Sequence, residues 1–299
     1  MLWLTAIIFS YLFFALASLG DKIVLAGPSK PKTYTFLVGA LSLLSVLLIP
    51  FVEFGFPSLI GWGFIILEAI VYVAGLYAMF YALDRFDVSK VISVIGATQP
   101  IIIALLTILY WGYQGIKGNE ALAFVILLTG SALISVDKNL RIDRKAFFLS
   151  LTTAVLFSLD FVFTKFIYNE MPFWQGFIWM RIVSFVIVLF FFLDKGFRKE
   201  IKEGNGESKK RTGIIFIVAQ MFGGLAGILQ SLAISLVPVT YLAIMNSMKG
   251  IQYAFLFILV VLFSIFLPRV LKEEMSKRAI IQKIISILLI GLGLAILVL

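Results

Sequence analysis

Apolar runs of about one membrane thickness follow one another along nearly the whole chain, separated by short polar breaks. A helix needs roughly 20 apolar residues to cross a bilayer. Ten segments reach or approach that length: Leu2–Leu25, Tyr34–Phe51, Ile60–Leu83, Val88–Trp111, Ala121–Val136, Ala146–Tyr168, Phe173–Leu193, Thr212–Leu236, Val239–Leu267 and Ala279–Val298. The apolar pattern is continuous rather than alternating, which predicts helices and not barrel strands. The breaks carry helix-ending residues: Gly27-Pro28, Pro57-Ser58, Gly115–Gly118, Pro172, Gly204–Gly206, Pro238 and Pro268. No linker is long enough for a soluble domain. The first run resembles the apolar part of a signal peptide but lacks a basic leader and is long for one, so it reads as a retained first span.

Composition agrees. Of 299 residues, 62% are hydrophobic and 14% charged, against about 25% charged in an ordinary soluble domain. The mean hydropathy is +1.08. The expected class is an all-α polytopic membrane protein. The chain has no cysteine and no histidine. That removes disulfides, thiolate nucleophiles, His or Cys metal sites and histidine proton relays. No metal and no cofactor is expected.

The net charge of +9 is explained by its distribution. Lys30, Lys32, Arg85, Lys138, Arg141, Arg144, Lys145, Lys195, Arg198, Lys199, Lys202, Lys209, Lys210, Arg211, Arg269, Lys272, Lys277 and Arg278 all fall after odd-numbered spans. The alternate loops and both termini hold only Lys117. By the positive-inside rule the odd loops face the cytoplasm and both termini face outward. The expected location is the plasma or inner cell membrane, multi-pass. Nucleic acid is not an expected partner, because the basic loops suit anionic lipid.

The chain reads as two halves. "FALASLGDKIVL" at Phe14–Leu25 matches "FSLDFVFTKFIY" at Phe157–Tyr168, which pairs Phe14 with Phe157 and Lys22 with Lys165. "VSKVISVIGATQPIIIALL" from Val88 resembles "VTYLAIMNSMKGIQYAFLF" from Val239, and "LLTGSALIS" at Leu127–Ser135 pairs with "LLIGLGLAI" at Leu288–Ile296. The division is residues 1–137, a basic linker 138–145, and 146–299. Five spans per half is odd, so the halves must be inverted repeats in the membrane. Inverted repeats suit transporters, whose sites lie near the midplane.

Four charges fall deep inside spans: Glu68, Asp160, Arg181 and Lys249. Each costs about 2.5–3.5 kcal/mol at a helix centre, so they should face protein or water. Two acids and two bases permit neutral pairing. Helical spacing places further polar residues beside them. Thr153, Phe157, Asp160 and Thr164 share one face; Glu68, Tyr72 and Gly75 another; Ser89, Ser93, Gly96 and Pro100 a third, with Gln99 beside it. Gln220, Gly223, Gly227 and Ser231 share a fourth, and Asn246, Lys249 and Tyr253 a fifth. Ser10, Ala17 and Asp21 occupy the matching face of the first span. The fifth and tenth spans carry no deep charge and read as packing elements.

Two readings stand for most of these positions. Small and hydroxyl residues in spans commonly serve packing, which suits Ser89, Ser93, Gly96, Gly223 and Gly227. Intramembrane charges default to function, so Glu68, Asp160 and Lys249 read as pathway residues. Arg181 suits a pathway or a structural ion pair equally. Lys22 and Lys165 mark the repeat near span ends and can snorkel. The candidate pathway set is Glu68, Tyr72, Ser93, Gln99, Asp160, Arg181, Gln220, Asn246, Lys249 and Tyr253. Glu68 and Asp160 are the candidates for proton coupling.

With these residues in view, the chain resembles the drug/metabolite transporter superfamily, EamA-like family, along nearly its whole length. The matching motifs are Phe14–Lys22 and Phe157–Lys165, the arginine in "WMRIVSF", the "ALDRFDVSKVISVIGATQP" block, and the Gly-rich fifth and tenth spans. It departs in "SMKGIQ", where relatives often carry a proline in the ninth span, in Val38 standing opposite Arg181, and in "GNE" at Gly118–Glu120. The resemblance implies a central cavity lined by spans one, three, four, six, eight and nine, and implies export or exchange. A lysine in the ninth span recurs in relatives that carry phosphorylated or nucleotide-linked solutes, which makes Lys249 and Arg181 candidates for an anionic group.

The expected function is secondary transport of a small polar metabolite, such as an amino acid or anionic solute, by alternating access. A lipid flippase or a non-transporting membrane partner is the alternative. No nucleotide-binding Gly-x-x-x-x-Gly-Lys-Ser/Thr loop is present, which argues against a primary pump. An enzyme is not expected, since only carboxylates remain for chemistry. The expected partners are a small-molecule solute, the bilayer and a second copy of the chain as a homodimer.

Overall fold

The computed structural model describes residues 2–24, 31–86, 88–112, 115, 118–135, 143–203, 210–266 and 277–298. Among these the protein is all-helical, and ten helical stretches are long and apolar enough to cross a membrane. The first eight helices are α1 (Leu2–Val24), α2 (Pro31–Ser42), α3 (Leu59–Arg85), α4 (Val88–Trp111), α5 (Gly118–Ser135), α6 (Arg144–Glu170), α7 (Phe173–Leu189) and α8 (Lys195–Glu203). The rest are α9 (Lys210–Leu236), α10 (Leu242–Ser247), α11 (Gly250–Phe266) and α12 (Lys277–Val298).

The span limits follow local chemistry. Ser58 precedes α3 with extended backbone, and its hydroxyl accepts the Gly61 amide at 3.0 Å, which satisfies one of the free donors of the first turn. Pro172 and Pro238 stand just before the helical turns that open the seventh and ninth spans. The second span tightens into a 3₁₀ helix over Leu43–Phe51, around Pro50. The seventh does the same at Phe190–Leu193.

Two features depart from ten uninterrupted spans. The ninth span is broken: a 3₁₀ turn at Val239–Tyr241 leads into α10, and Met248-Lys249 form a turn before α11 begins. The loop after the seventh span also contains a short basic helix, α8, whose Phe197 is 1% exposed and packs edge-on against Phe36, Phe191 and Phe192.

Packing is arranged by span. α1 runs along α9 and α11; α3 runs along α6 and α7; α4 packs on α6, α5 and α10; α5 packs on α12. Small residues let α5 and α12 approach closely. A Cβ on Gly130 would lie 2.9 Å from Ile290 Cγ1, and one on Gly293 would lie 2.7 Å from Leu127 Cγ. The large buried cluster joins Ile7 and Tyr11 of α1, Ile103 of α4, Phe161 and Val162 of α6, Ala233 and Ile234 of α9, and Leu242–Met245 of α10. Much of it lies toward the end of the bundle where α1 starts and where α4, α6 and α9 finish, and it continues through Leu127, Met248 and Ile290 to Ile134 near the end of α5. Tyr241 donates to Glu120 Oε1 at 2.5 Å at this same end. Large apolar side chains such as Leu44, Leu47, Leu105, Leu109, Leu262 and Leu288 stay exposed, as lipid-facing positions require.

Candidate functional site

Glu68 sits on α3, Asp160 on α6 and Arg181 on α7, each about 12–15 Å of helix from the same end of the bundle. That depth is roughly a third to two-fifths of the way along each span. α3 meets α6 closely because Gly75 leaves room for Phe157, whose ring carbon would be 3.0 Å from a Cβ there. The approach brings the Glu68 and Asp160 carboxyls together, near enough for one to hydrogen-bond the other when a proton lies between them. Arg181 faces both electrostatically. Its guanidinium lies over the Tyr72 ring at 4.8 Å and near the Phe177 ring at 5.3 Å, within cation–π range. No direct ion pair joins Arg181 to either carboxylate among the described residues.

Exposure differs across the group. Glu68 is 0% exposed, and neither carboxylate oxygen has a hydrogen-bond partner among the described residues. Asp160, Arg181 and Tyr72 are partly exposed. The Tyr168 hydroxyl is buried beside Ser231 of α9 and lies within electrostatic reach of all three charges.

Lys249 stands apart, in the turn that breaks the ninth span. Its Nζ donates to Gln99 Oε1 of α4 at 3.5 Å, and among the described residues no carboxylate pairs with it. Gln99 is 4% exposed, and its backbone carbonyl accepts from Ser158 at 3.2 Å. This places Gln99 between Lys249 and the α6 helix that carries Asp160. Tyr253 lies against Gly96. Asn246 is 2% exposed, and its Oδ1 has no hydrogen-bond partner among the described residues. The four deep charges therefore do not form two ion pairs. Three gather at α3, α6 and α7, and the fourth is held by an amide.

The break has its own support. Ser131 of α5 donates to the Ser247 carbonyl at 2.5 Å and accepts the Gly250 amide at 2.9 Å. It thus bridges the two backbone groups that the interrupted helix leaves free. The fifth span packs, as its sequence suggests, but it also props the turn that holds Lys249.

The other candidate residues point elsewhere. Ser93 hydrogen-bonds the Ser135 carbonyl on α5. Gln220 donates to the Tyr34 hydroxyl of α2 at 3.4 Å. Lys165 is 5% exposed and does not reach out to an interface; its Nζ donates to the Ile234 and Ser235 carbonyls at 3.1 Å each. It thereby caps the final turn of α9, where a cation also suits the helix dipole. The side chains of Lys22, Asp21 and Ser89, and loop residues such as Lys30, Lys138, Arg141 and Lys209, lie outside the described residues.

Sequence reasoning missed Ser131, Gly250 and Tyr168. The Gly after Lys249 was the visible signal for the break. Nothing in the sequence alone ties Ser131 or Tyr168 to the deep charges.

No family model matches the chain, and no curated protein matches it. A solved crystal structure shares the fold, with a TM-score of 0.71 over 98% of this chain and 94% of that chain, at 13% sequence identity. At that identity the likeness concerns the fold.

Proposed function

We propose that the protein is a secondary transporter for a small polar metabolite, an amino acid or anionic solute, working by alternating access. The observation that carries this reading is the broken ninth span. It places an amide-held cation, Lys249, at mid-depth, and discontinuous helices at the midplane are how many transporters build solute sites. Arg181 supplies a second cation without a direct ion pair among the described residues, so both suit a carboxylate or phosphate on the solute.

An inverted-repeat architecture of the drug/metabolite transporter type belongs to the same proposal. The packing supports it: α3 lies on α6 as α9 lies on α1, and α4 lies on α6 as α11 lies on α1. Exchanging the halves relates each contact to its partner. With both termini outside, the end packed around Tyr11 and Leu242 is the outer one.

The test is a thermal-shift screen of purified protein against polar metabolites, since a ligand that binds the native state raises apparent stability by mass action. The expected result is a shift with at least one solute that Lys249→Ala abolishes. Equal shifts in both proteins contradict the assignment of Lys249.

A further inference from the structure

Glu68 poses a physical problem that its neighbours answer. An ionised carboxylate with both oxygens buried and no donor is costly anywhere, and more so in a membrane. The groups that face it can be named element by element. α6 contributes Asp160 and Tyr168, α7 contributes Arg181, and α3 itself contributes Tyr72. α2 offers Tyr34, which packs on Phe80 about three turns along α3. α4 offers Lys90 and Tyr110, near its two ends, and Tyr110 sits beyond the Phe166 ring. The local charge is thus set by two carboxylates and one guanidinium. Fully ionised, they sum to one negative charge, and one monovalent cation neutralises them.

That cation is a proton by the character of the site. A divalent metal ion takes a shell of about six to eight oxygen ligands, whereas the two carboxylates here face a guanidinium that repels metal. Two carboxyls in contact can instead divide one proton, one donating and the other accepting. Asp160 is partly exposed and Glu68 is not, so exchange with water runs through Asp160.

We propose that Glu68 and Asp160 share a single exchangeable proton, with Arg181 fixing the count at one, and that this proton is the coupling ion for solute movement. The release step is balanced. The carboxylic O–H gives its proton to water at Asp160, and its electron pair stays on the carboxylate. The coupling role rests on the transport reading above; the shared proton does not.

Infrared difference spectroscopy of the full chain in phospholipid bilayers tests the site without any solute. The wild type should show a carboxylic-acid carbonyl band that a pH step removes, with an amplitude of one acid per chain. Either Glu68→Gln or Asp160→Asn should abolish the whole band. A band lost in only one of the two variants means an independent acid and overturns the sharing, as does a band that sodium ions displace. In vesicles loaded with mixed polar metabolites, one proton per solute supports about a tenfold concentration ratio per pH unit. Both carboxamide variants should move solute equally with and without a gradient. A titrating shared band with no solute movement retains the shared proton and overturns both its coupling role and the transport reading.

Discussion

Ser131 and Gly250 lie on different spans, yet one hydroxyl joins the two ends of a broken helix. Its oxygen accepts the Gly250 amide at 2.9 Å and its O–H donates to the Ser247 carbonyl at 2.5 Å. Any Cβ at position 250 would lie 2.3 Å from that oxygen and 2.8 Å from the Ser131 Cα.

Gly250→Ala should therefore destabilise the protein by about 1–3 kcal/mol through overpacking. Ser131→Ala should cost about 1–3 kcal/mol, because it strands a buried donor and a buried acceptor. Combining Gly250→Ala with Ser131→Gly should recover only part of the loss, since the backbone contact remains. Thermal unfolding in detergent measures all three, and full recovery in the double variant would show that the hydroxyl alone sets the spacing.

Lys249 should show the opposite behaviour. A cation at mid-span without a carboxylate is a cost of about 2.5–3.5 kcal/mol before its amide contact is counted. Lys249→Met should raise the melting temperature of the solute-free protein while removing solute-induced stabilisation. A residue kept for structure alone would lower it.

Lys165 ties α6 to the last carbonyls of α9, at the end of the bundle packed around Tyr11 and Leu242. Lys165→Met should cost about 1.5–3 kcal/mol, the range for hydrogen bonds to a charged group. It should also loosen that end. The chain has no cysteine, so Val237→Cys introduces its sole thiol. Labelling by a membrane-impermeant maleimide should be faster when Lys165→Met is added, and an unchanged rate would show that the tie does not hold the end shut.

Lys32 at the start of α2 pairs with Asp194, which precedes α8. The Lys32 contact and the Gly196 amide hold the Asp194 carboxyl below its ordinary range. A lowered folded-state value means that this small contribution is present above the unfolded aspartate value, about 3.9, and fades as pH falls through the folded one. Asp194 is exposed, so Asp194→Asn should scarcely change the melting temperature at neutral pH. The wild-type minus variant difference should vanish in strong acid, and a difference that grew there would contradict the assignment.

The ten spans were readable in the sequence because a bilayer demands long apolar runs; the fourth, Val88–Trp111, has the same limits in both. The deep charges were readable as outliers against those runs. Their partnerships were not, because helix packing decides them: Glu68 meets Asp160 across a gap in sequence that periodicity does not bridge, and Lys249 finds Gln99 rather than an acid. Lys165 near a span end reads equally as a snorkelling residue or a cap, and only the position of α9 separates the two. Ser93 and Gln220 share polar faces with pathway candidates, but Ser93 bonds a neighbouring helix backbone and Gln220 the hydroxyl of Tyr34.

Movement of a polar solute by this chain is tested most directly in proteoliposomes loaded with a polar metabolite extract, with the retained contents read by mass spectrometry. At least one metabolite should leave wild-type vesicles and stay in vesicles bearing Lys249→Met. Contents that match protein-free vesicles in every case would contradict the transporter reading.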